Sequence, residues 1–257
     1  MILQDFGHGL LIGLVGGAAS GLLGVSSGGF LVALVVLVLG LPQHVAQGIS
    51  LVAQVPPTSL SGVMQYRRSG HAVALNWVVL LSLGFVIGAV AGALGAGAIP
   101  DRVLRWTFVG YLVLLGVLSL ARLRERHDTA KDDRAVVLGA ATLIGVGIVS
   151  GLSSGLLGIG GGLAITAILA AGMKVPQHVA QALALAVTTL PLTLPAAWVY
   201  AEQASLPWWV IAGIVIGLLI GTAAGARLAT LMSERALRRL MPVCIFAMAA
   251  FMAWRAV

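Results

Sequence analysis

The run SGLLGVSSGG at residues 20–29 returns as SGLLGIGGGL at residues 154–163, and these two runs decide the fold. A second motif, PQHVAQ, occurs at residues 42–47 and again at residues 176–181. Both pairs are 134 residues apart, so the stretches between the motifs align without a gap. Two copies of one structural unit are the simplest explanation of so long a match.

Each copy contains about five apolar segments, in a chain of 257 residues that is 60% hydrophobic and only 9% charged. A soluble domain carries about 25% charged residues, whereas uncharged runs of about 18 residues or more are typical of membrane-spanning helices. We therefore predict an all-α integral membrane protein of about 8–10 membrane helices, in which the second segment of each copy is short or re-entrant. Residues 1–121 and 135–257 are the predicted membrane repeats, joined by a charged cytoplasmic linker at 122–134.

Lysine and arginine predict how the two repeats are oriented. With the linker inside, 12 of the 15 Lys and Arg residues lie on the inner side, and only Arg102, Arg105 and Arg255 lie outside. Parallel repeats would nearly abolish this asymmetry, so the positive-inside rule favours inverted topology with both termini on the periplasmic or extracellular face. The net charge of +7 thus reflects membrane orientation, and no nucleic-acid partner is predicted. Tyr200 and the tryptophans near helix ends are predicted at the membrane interface.

Charged and catalytic side chains are missing from the interiors of the predicted spans. All eight Asp and Glu residues lie at segment ends or in the linker, and the single cysteine, Cys244, has no companion. The sequence offers no paired acids, no Ser-His-Asp set and no cluster with metal-ligand spacing. We predict no enzymatic activity, no cofactor and no metal.

The glycine runs are the first candidate site. Consecutive glycines disfavour a helix, and broken backbone inside a bilayer must be buried in protein or line a watery cavity. The N–H groups that begin the next helix then form the positive end of its dipole, which binds an anion without Lys or Arg. Matched breaks in two repeats are typical of a transporter's substrate site. The predicted substrate-binding residues in these runs are Gly24, Ser26, Ser27, Gly28, Gly158, Gly160, Gly161 and Gly162.

Small residues also serve close helix packing. For the separated glycines Gly84, Gly88 and Gly92, packing is the favoured interpretation. For the two runs both interpretations stay open, and the site is favoured because consecutive glycines exceed what packing needs.

Polar residues follow one face of the third segment in each repeat. Gln47, Ser50 and Gln54 are three or four residues apart, and Gln181 and Thr188 hold matching places in the second repeat. Uncharged polar groups are costly in a membrane unless they are partnered or wet. These five residues therefore either line the solute path, as further substrate-binding residues, or bond neighbouring helices.

Histidine and proline also mark the third segments. His44 and His178 occupy matching positions in PQHVAQ. They are candidates for gating or proton transfer, or else they cap a helix or lie at the headgroups. Pro191 and Pro195 are predicted to kink the second copy of this segment.

The duplicated SGLLGxxxG run, the short apolar segment after it and the P-x-x-x-A motif at 42–46 and 176–180 resemble the TauE/SafE family of sulfite exporters. The resemblance covers essentially the whole chain. It implies a transporter of small anions, such as sulfite, thiosulfate, sulfoacetate or another organosulfonate or organic anion, in the bacterial inner membrane. By motif position, it also implies a substrate site at Gly24, Gly28, Gly158, Gly160, Gly161 and Gly162.

The prediction from the sequence is a secondary transporter of a small anion that works by alternating access between inverted repeats. A passive anion channel of the same architecture is the first alternative, and an intramembrane enzyme or a non-transporting scaffold is less favoured. The predicted partners are the anionic solute and the lipid bilayer. The exact substrate, the direction of transport, the coupling ion (H+ or Na+) and the oligomeric state are left open.

Overall fold

A computed structural model describes residues 2–23, 26–57, 73–124, 138–173, 175, 177–232 and 234–256. Most of these residues are helical, and none of them lies in a strand. The α-helices are α1 Ile2–Leu23, α2 Gly28–Leu39, α3 Gln43–Ala53, α4 Leu75–Gly97, α5 Asp101–Arg124, α6 Ala140–Leu157, α7 Gly162–Ala167, α8 Gln177–Thr189, α9 Leu194–Gln203, α10 Trp208–Leu231 and α11 Glu234–Ala256.

The predicted membrane character is confirmed. Among the described residues, four helices are long and apolar enough to cross a bilayer, and they are α1, α4, α6 and α10. The pair α8 and α9 counts as a fifth span if it is taken as one helix with a bend of 52°. Leucine, isoleucine and tryptophan side chains stand exposed on the outer faces of these helices, as lipid contact requires.

The bend between α8 and α9 divides a segment that the sequence predicted as continuous. Pro191 lies in the break, where its missing N–H interrupts the helical hydrogen bonds. Pro195 does not kink a helix, because it lies in the first turn of α9, where N–H groups have no partner inside the helix. The prediction of a proline kink thus holds for Pro191 and is wrong for Pro195.

The short second segments are confirmed. Helix α2 has 12 residues, and α7 has six residues followed by a π-helix at Ile168–Gly172. Both begin at a glycine of the repeated run, at positions 28 and 162, which are 134 residues apart. Helices α1 and α6 end at positions 23 and 157, with the same separation. The helix ends on both sides of the two breaks therefore follow the sequence repeat.

Helices of opposite halves pack in pairs: α1 against α10, α4 against α6, and α5 against α11. Glycines let the backbones of the first two pairs touch. A Cβ atom added to Gly88 would overlap the carbonyl oxygen of Ile148, and one added to Gly217 would overlap that of Leu10. Gly84 and Gly92 make the same kind of contact, which confirms their predicted packing role. The two halves thus share their closest interfaces, while their inverted orientation and the domain limits stay predictions.

Candidate functional site

Both glycine runs interrupt a helix, as the sequence predicted. Helix α1 ends at Leu23 and α2 begins at Gly28, while α6 ends at Leu157 and α7 begins at Gly162. In the second break, Gly158 has φ of +69° and Gly160 has φ of +62°. Only glycine adopts this left-handed region without steric cost, so these two positions explain why the run contains glycine.

The two breaks touch each other, although they are about half the chain apart. The hydroxyl of Ser26 in the first break lies 3.0 Å from the carbonyl oxygen of Ile159 in the second, and it can donate a hydrogen bond there. A Cβ atom on Gly28 would overlap the backbone carbonyl of Ile159. Direct backbone approach therefore brings the start of α2 against the second break.

Helix α3 fastens the two breaks together through its polar face. The Ser50 hydroxyl donates to the carbonyl oxygen of Gly158 at 2.7 Å and lies 3.2 Å from that of Gly28. The amide nitrogen of Gln54 donates to the carbonyl oxygen and the hydroxyl of Ser50, both at 3.0 Å. The amide oxygen of Gln54 lies 3.2 Å from the Ser26 hydroxyl. Ser50 and Gln54 thus bond neighbouring segments, which was one of the two roles left open for them.

Gln47 differs from them because part of its amide has no protein partner. Its side chain is 0% exposed, and its oxygen lies 3.0 Å from the hydroxyl of Tyr200. The single proton of that hydroxyl also reaches the carbonyl oxygen of Gly155, at 2.8 Å. Within the described part of the chain, the Gln47 nitrogen donates to nothing. Tyr200 itself is 0% exposed, so its ring packs inside the protein and its hydroxyl is used for buried bonds, while its predicted depth at the membrane interface stays a prediction.

The second break leaves no room for side chains on Gly160 and Gly161. A Cβ atom on Gly160 would overlap the Gln54 amide oxygen, and one on Gly161 would overlap the Phe85 ring. At Gly162 the nearest atom would be the Thr188 methyl carbon at 3.3 Å, so that position is the least crowded.

Two helix N-termini open at these breaks. The first hydrogen bond of α2 runs from the N–H of Leu31 to the carbonyl of Ser27, and that of α7 from Ile165 to Gly161. The N–H groups before Leu31 and Ile165 lack acceptors inside their own helices. The side chains of Ser26, Ser27, Gln47, Ser50 and Gln54 carry no charge. Among the described residues of this region, helical N–H groups and the Gln47 nitrogen are therefore donors available to an anion.

The remaining predicted residues of the two repeats are Ser27, Gln181, Thr188, Gly24 and His178. Ser27 is buried and precedes α2 without making a side-chain capping bond. Thr188 bonds the carbonyl of Ala184 in its own helix at 2.9 Å, and Gln181 is partly buried on α8. Gly24 and the side chain of His178 lie outside the described residues.

His44 lies at the start of α3 and not at the breaks. Its ring stacks on that of Tyr200 with centroids 4.5 Å apart, and its backbone N–H donates to the Asp101 carboxylate at 3.2 Å. The same carboxylate accepts a bond from Arg105 at 2.8 Å. The N-terminal end of α3 is thus capped by the Asp101 side chain of α5, which accepts the hydrogen bond from the His44 backbone N–H.

Sequence reasoning missed three residues of this region. Tyr200 was visible as a repeated tyrosine, matched by Tyr66, but that match gave no sign of a bond to Gln47. Gln43 belongs to the repeated PQHVAQ motif, but no role was predicted for it. Phe85, which covers Gly161, carries no signal in a uniformly apolar segment.

The sequence profile of the family described as Sulfite exporter TauE/SafE matches residues 9–252. A protein of Bacillus subtilis named a probable membrane transporter protein is 25% identical over 237 residues, which cover 89% of this chain and 92% of the relative. A probable membrane transporter protein of Xylella fastidiosa is 29% identical, with 99% and 95% covered. One of Methanocaldococcus jannaschii is 30% identical, with 72% and 67% covered. No solved structure matches the chain.

Proposed function

The chain belongs to the Sulfite exporter TauE/SafE family, and on that basis we propose that it is a secondary transporter of a small anion bound where its two glycine breaks meet. Sulfite, thiosulfate, sulfoacetate and related organosulfonates or organic anions are the proposed substrates. The observation that carries the proposal is the contact between the breaks through Ser26 and Ile159, which brings two helix N-termini to one place.

The chemistry of this site suits a transporter, which must release its substrate, better than a site that binds an anion tightly. A lysine or arginine in low dielectric would hold an anion strongly, because Coulomb energies there are several times larger than in water. Helix N-termini each present about half a positive charge, together with N–H groups aimed along the axis. Such a site is selective for anions and still permits release. The nitrogen of Gln47, which lacks a partner among the described residues, adds a neutral donor.

The lengths of α2 and α3 support a site near the middle of the bilayer. Helix α2 ends and α3 begins at the turn around residues 40–42. Helix α2 has 12 residues and α3 has 11. At 1.5 Å per residue they extend about 18 Å and 16 Å, which is roughly half of a 30 Å hydrocarbon core. A midplane site between two repeats is the arrangement in which rocking of the halves exposes the substrate to either side.

Inverted repeats receive support from the ends of the helices. The start of α3, the start of α5 and the end of α9 lie together, because His44 contacts both Asp101 and Tyr200. The positive-inside rule, applied to the inverted arrangement, puts all three of these ends on the outer side. We propose alternating access between the halves, with both termini periplasmic and the protein in the bacterial inner membrane.

The test uses purified protein in liposomes and a panel of radiolabelled thiosulfate, sulfoacetate, sulfite, taurine and a simple carboxylate. We expect saturable flux of at least one sulfur oxyanion. Gly162→Leu places a side chain at the start of α7, where the nearest contact is the Thr188 methyl group, and should lower that flux at least about tenfold by filling the site.

Gly110→Leu on α5 is the matched control, since a Cβ atom there meets nothing within 4 Å. It should transport like the wild type. Equal flux in the Gly162 and Gly110 variants would refute the proposed site. Flux that never saturates and cannot be driven against a gradient would identify the alternative, a passive channel.

A further inference from the structure

Gln43, the first residue of α3, is a buried polar side chain whose hydrogen-bonding groups are unused. It is 0% exposed, and among the described residues neither its amide oxygen nor its amide nitrogen has a hydrogen-bond partner. The nitrogen of Gln47, one helical turn later, is in the same condition. An unpaired buried amide destabilises a protein, so three such atoms on adjacent turns call for a binding partner that the described residues do not supply.

The position of Gln43 relates it to the proposed site. Gln43, Gln47, Ser50 and Gln54 follow each other at spacings of four, three and four residues, so they share one face of α3. The Gln54 end of this face contacts both glycine breaks. The Gln43 end lies about 16 Å away along the helix, next to His44 at the cap formed by Asp101.

A paired guanidinium stands at the Gln43 end. Arg105 pairs with Asp101 there, at 2.8 Å, and the two side chains are 21% and 37% exposed. The pair carries no net charge, so an anion can contact the guanidinium without being trapped by it. Inward from this rim, the next unpaired donors are the amides of Gln43 and Gln47.

We propose that Gln43 and Gln47 form an outer station for the transported anion, occupied on its way between the Arg105 rim and the glycine breaks. Their amide nitrogens donate to oxygens of a sulfonate or carboxylate, and the Gln43 oxygen accepts from water carried with it. Neutral donors bind weakly enough to pass the solute on. This inference rests on the proposed function and adds to it a second binding position, which shares the Gln47 nitrogen with the site at the glycine breaks.

The test compares Gln43→Leu with wild type in the liposome assay, using radiolabelled thiosulfate and sulfoacetate, and measures the thermal midpoint of each protein in detergent. Loss of a hydrogen bond to a charged ligand should raise the KM for flux about tenfold or more. The thermal midpoint should stay the same or rise, because leucine removes an unpaired buried amide. Gln43→Glu should raise the KM further, since a carboxylate in this position repels an anion.

Ser82→Ala is the matched control, because the Ser82 hydroxyl on α4 is also buried and has no partner in the described part of the protein. It should leave the KM unchanged and the midpoint unchanged or higher. The station is wrong if Gln43→Leu keeps a wild-type KM, or if its midpoint falls by several degrees, which indicates a structural role. If wild-type flux saturates, either of these results contradicts the outer station but not the proposed function. If wild-type flux does not saturate, both proposals are wrong.

Discussion

Gly160 and Gly40 form a matched pair that measures how firmly the two breaks are held together. Their φ angles are +62° and +63°, so alanine should cost about 1–2 kcal/mol of backbone strain at either position. Their surroundings differ: a Cβ atom on Gly40 meets nothing within 4 Å, whereas one on Gly160 overlaps the Gln54 amide oxygen and lies 3.0 Å from the Ser26 hydroxyl. The difference between the two variants therefore reports on the contact at the breaks alone.

The expected difference follows from the bonds that Gln54 makes. Displacing its amide breaks the two hydrogen bonds that its nitrogen donates to Ser50, each contributing about 1 kcal/mol. Gly160→Ala should thus be destabilised by about 3–4 kcal/mol and Gly40→Ala by about 1–2 kcal/mol. For a chain of this size the thermal midpoint changes by about 2–4 °C per kcal/mol, so Gly160→Ala should unfold about 4–8 °C below Gly40→Ala.

The assay is thermal unfolding of both variants in the same detergent, followed by tryptophan fluorescence. Anion flux in liposomes gives a second measurement, and it should fall in Gly160→Ala while Gly40→Ala keeps wild-type flux. Equal midpoints for the two variants would refute the reasoning, because backbone strain would then account for the whole effect.

Two further comparisons test the packing. Tyr200→Phe should lower the thermal midpoint by several degrees, because it removes the hydroxyl that donates to the carbonyl of Gly155. Tyr111→Phe should leave the midpoint unchanged or raise it, because the buried Tyr111 hydroxyl has no partner in the described residues. Equal losses in both variants would contradict this. Gly88→Leu should force α4 away from α6 and abolish folded protein in detergent. Gly145→Leu is the control and should purify normally, because Gly145 faces open space on α6. A stable Gly88→Leu protein would show that the contact is dispensable.

The breaks could be predicted from sequence because glycine acts locally. Three glycines in a row at 160–162 disfavour a helix wherever they stand, and the repeat located the same interruption near residue 28. The short segments that follow, and the packing role of Gly88, also arise from spacing along one helix. These features need no knowledge of which helix lies opposite.

The contacts across the site could not be predicted, because they join residues far apart in sequence. Nothing local indicates that Ser26 reaches Ile159, or that Tyr200 turns its hydroxyl inward to Gln47. A tyrosine near a helix end has an amphipathic side chain that suits both the interface and a buried polar pocket. Only the tertiary arrangement decides between them, and here it buried Tyr200.

The pairing of α1 with α10 has a consequence for biosynthesis. The first helix leaves the ribosome early, and its glycines Gly9, Gly13 and Gly17 form a groove that contacts the backbone of α10. Helix α10 begins at Trp208, 185 residues after the end of α1 at Leu23. At about 5–20 residues per second, the nascent chain waits roughly 10–40 s for that partner. During this interval the groove lies open to lipid or to other newly inserted proteins. The order of translation, and not only the final packing, therefore exposes this protein to misassembly.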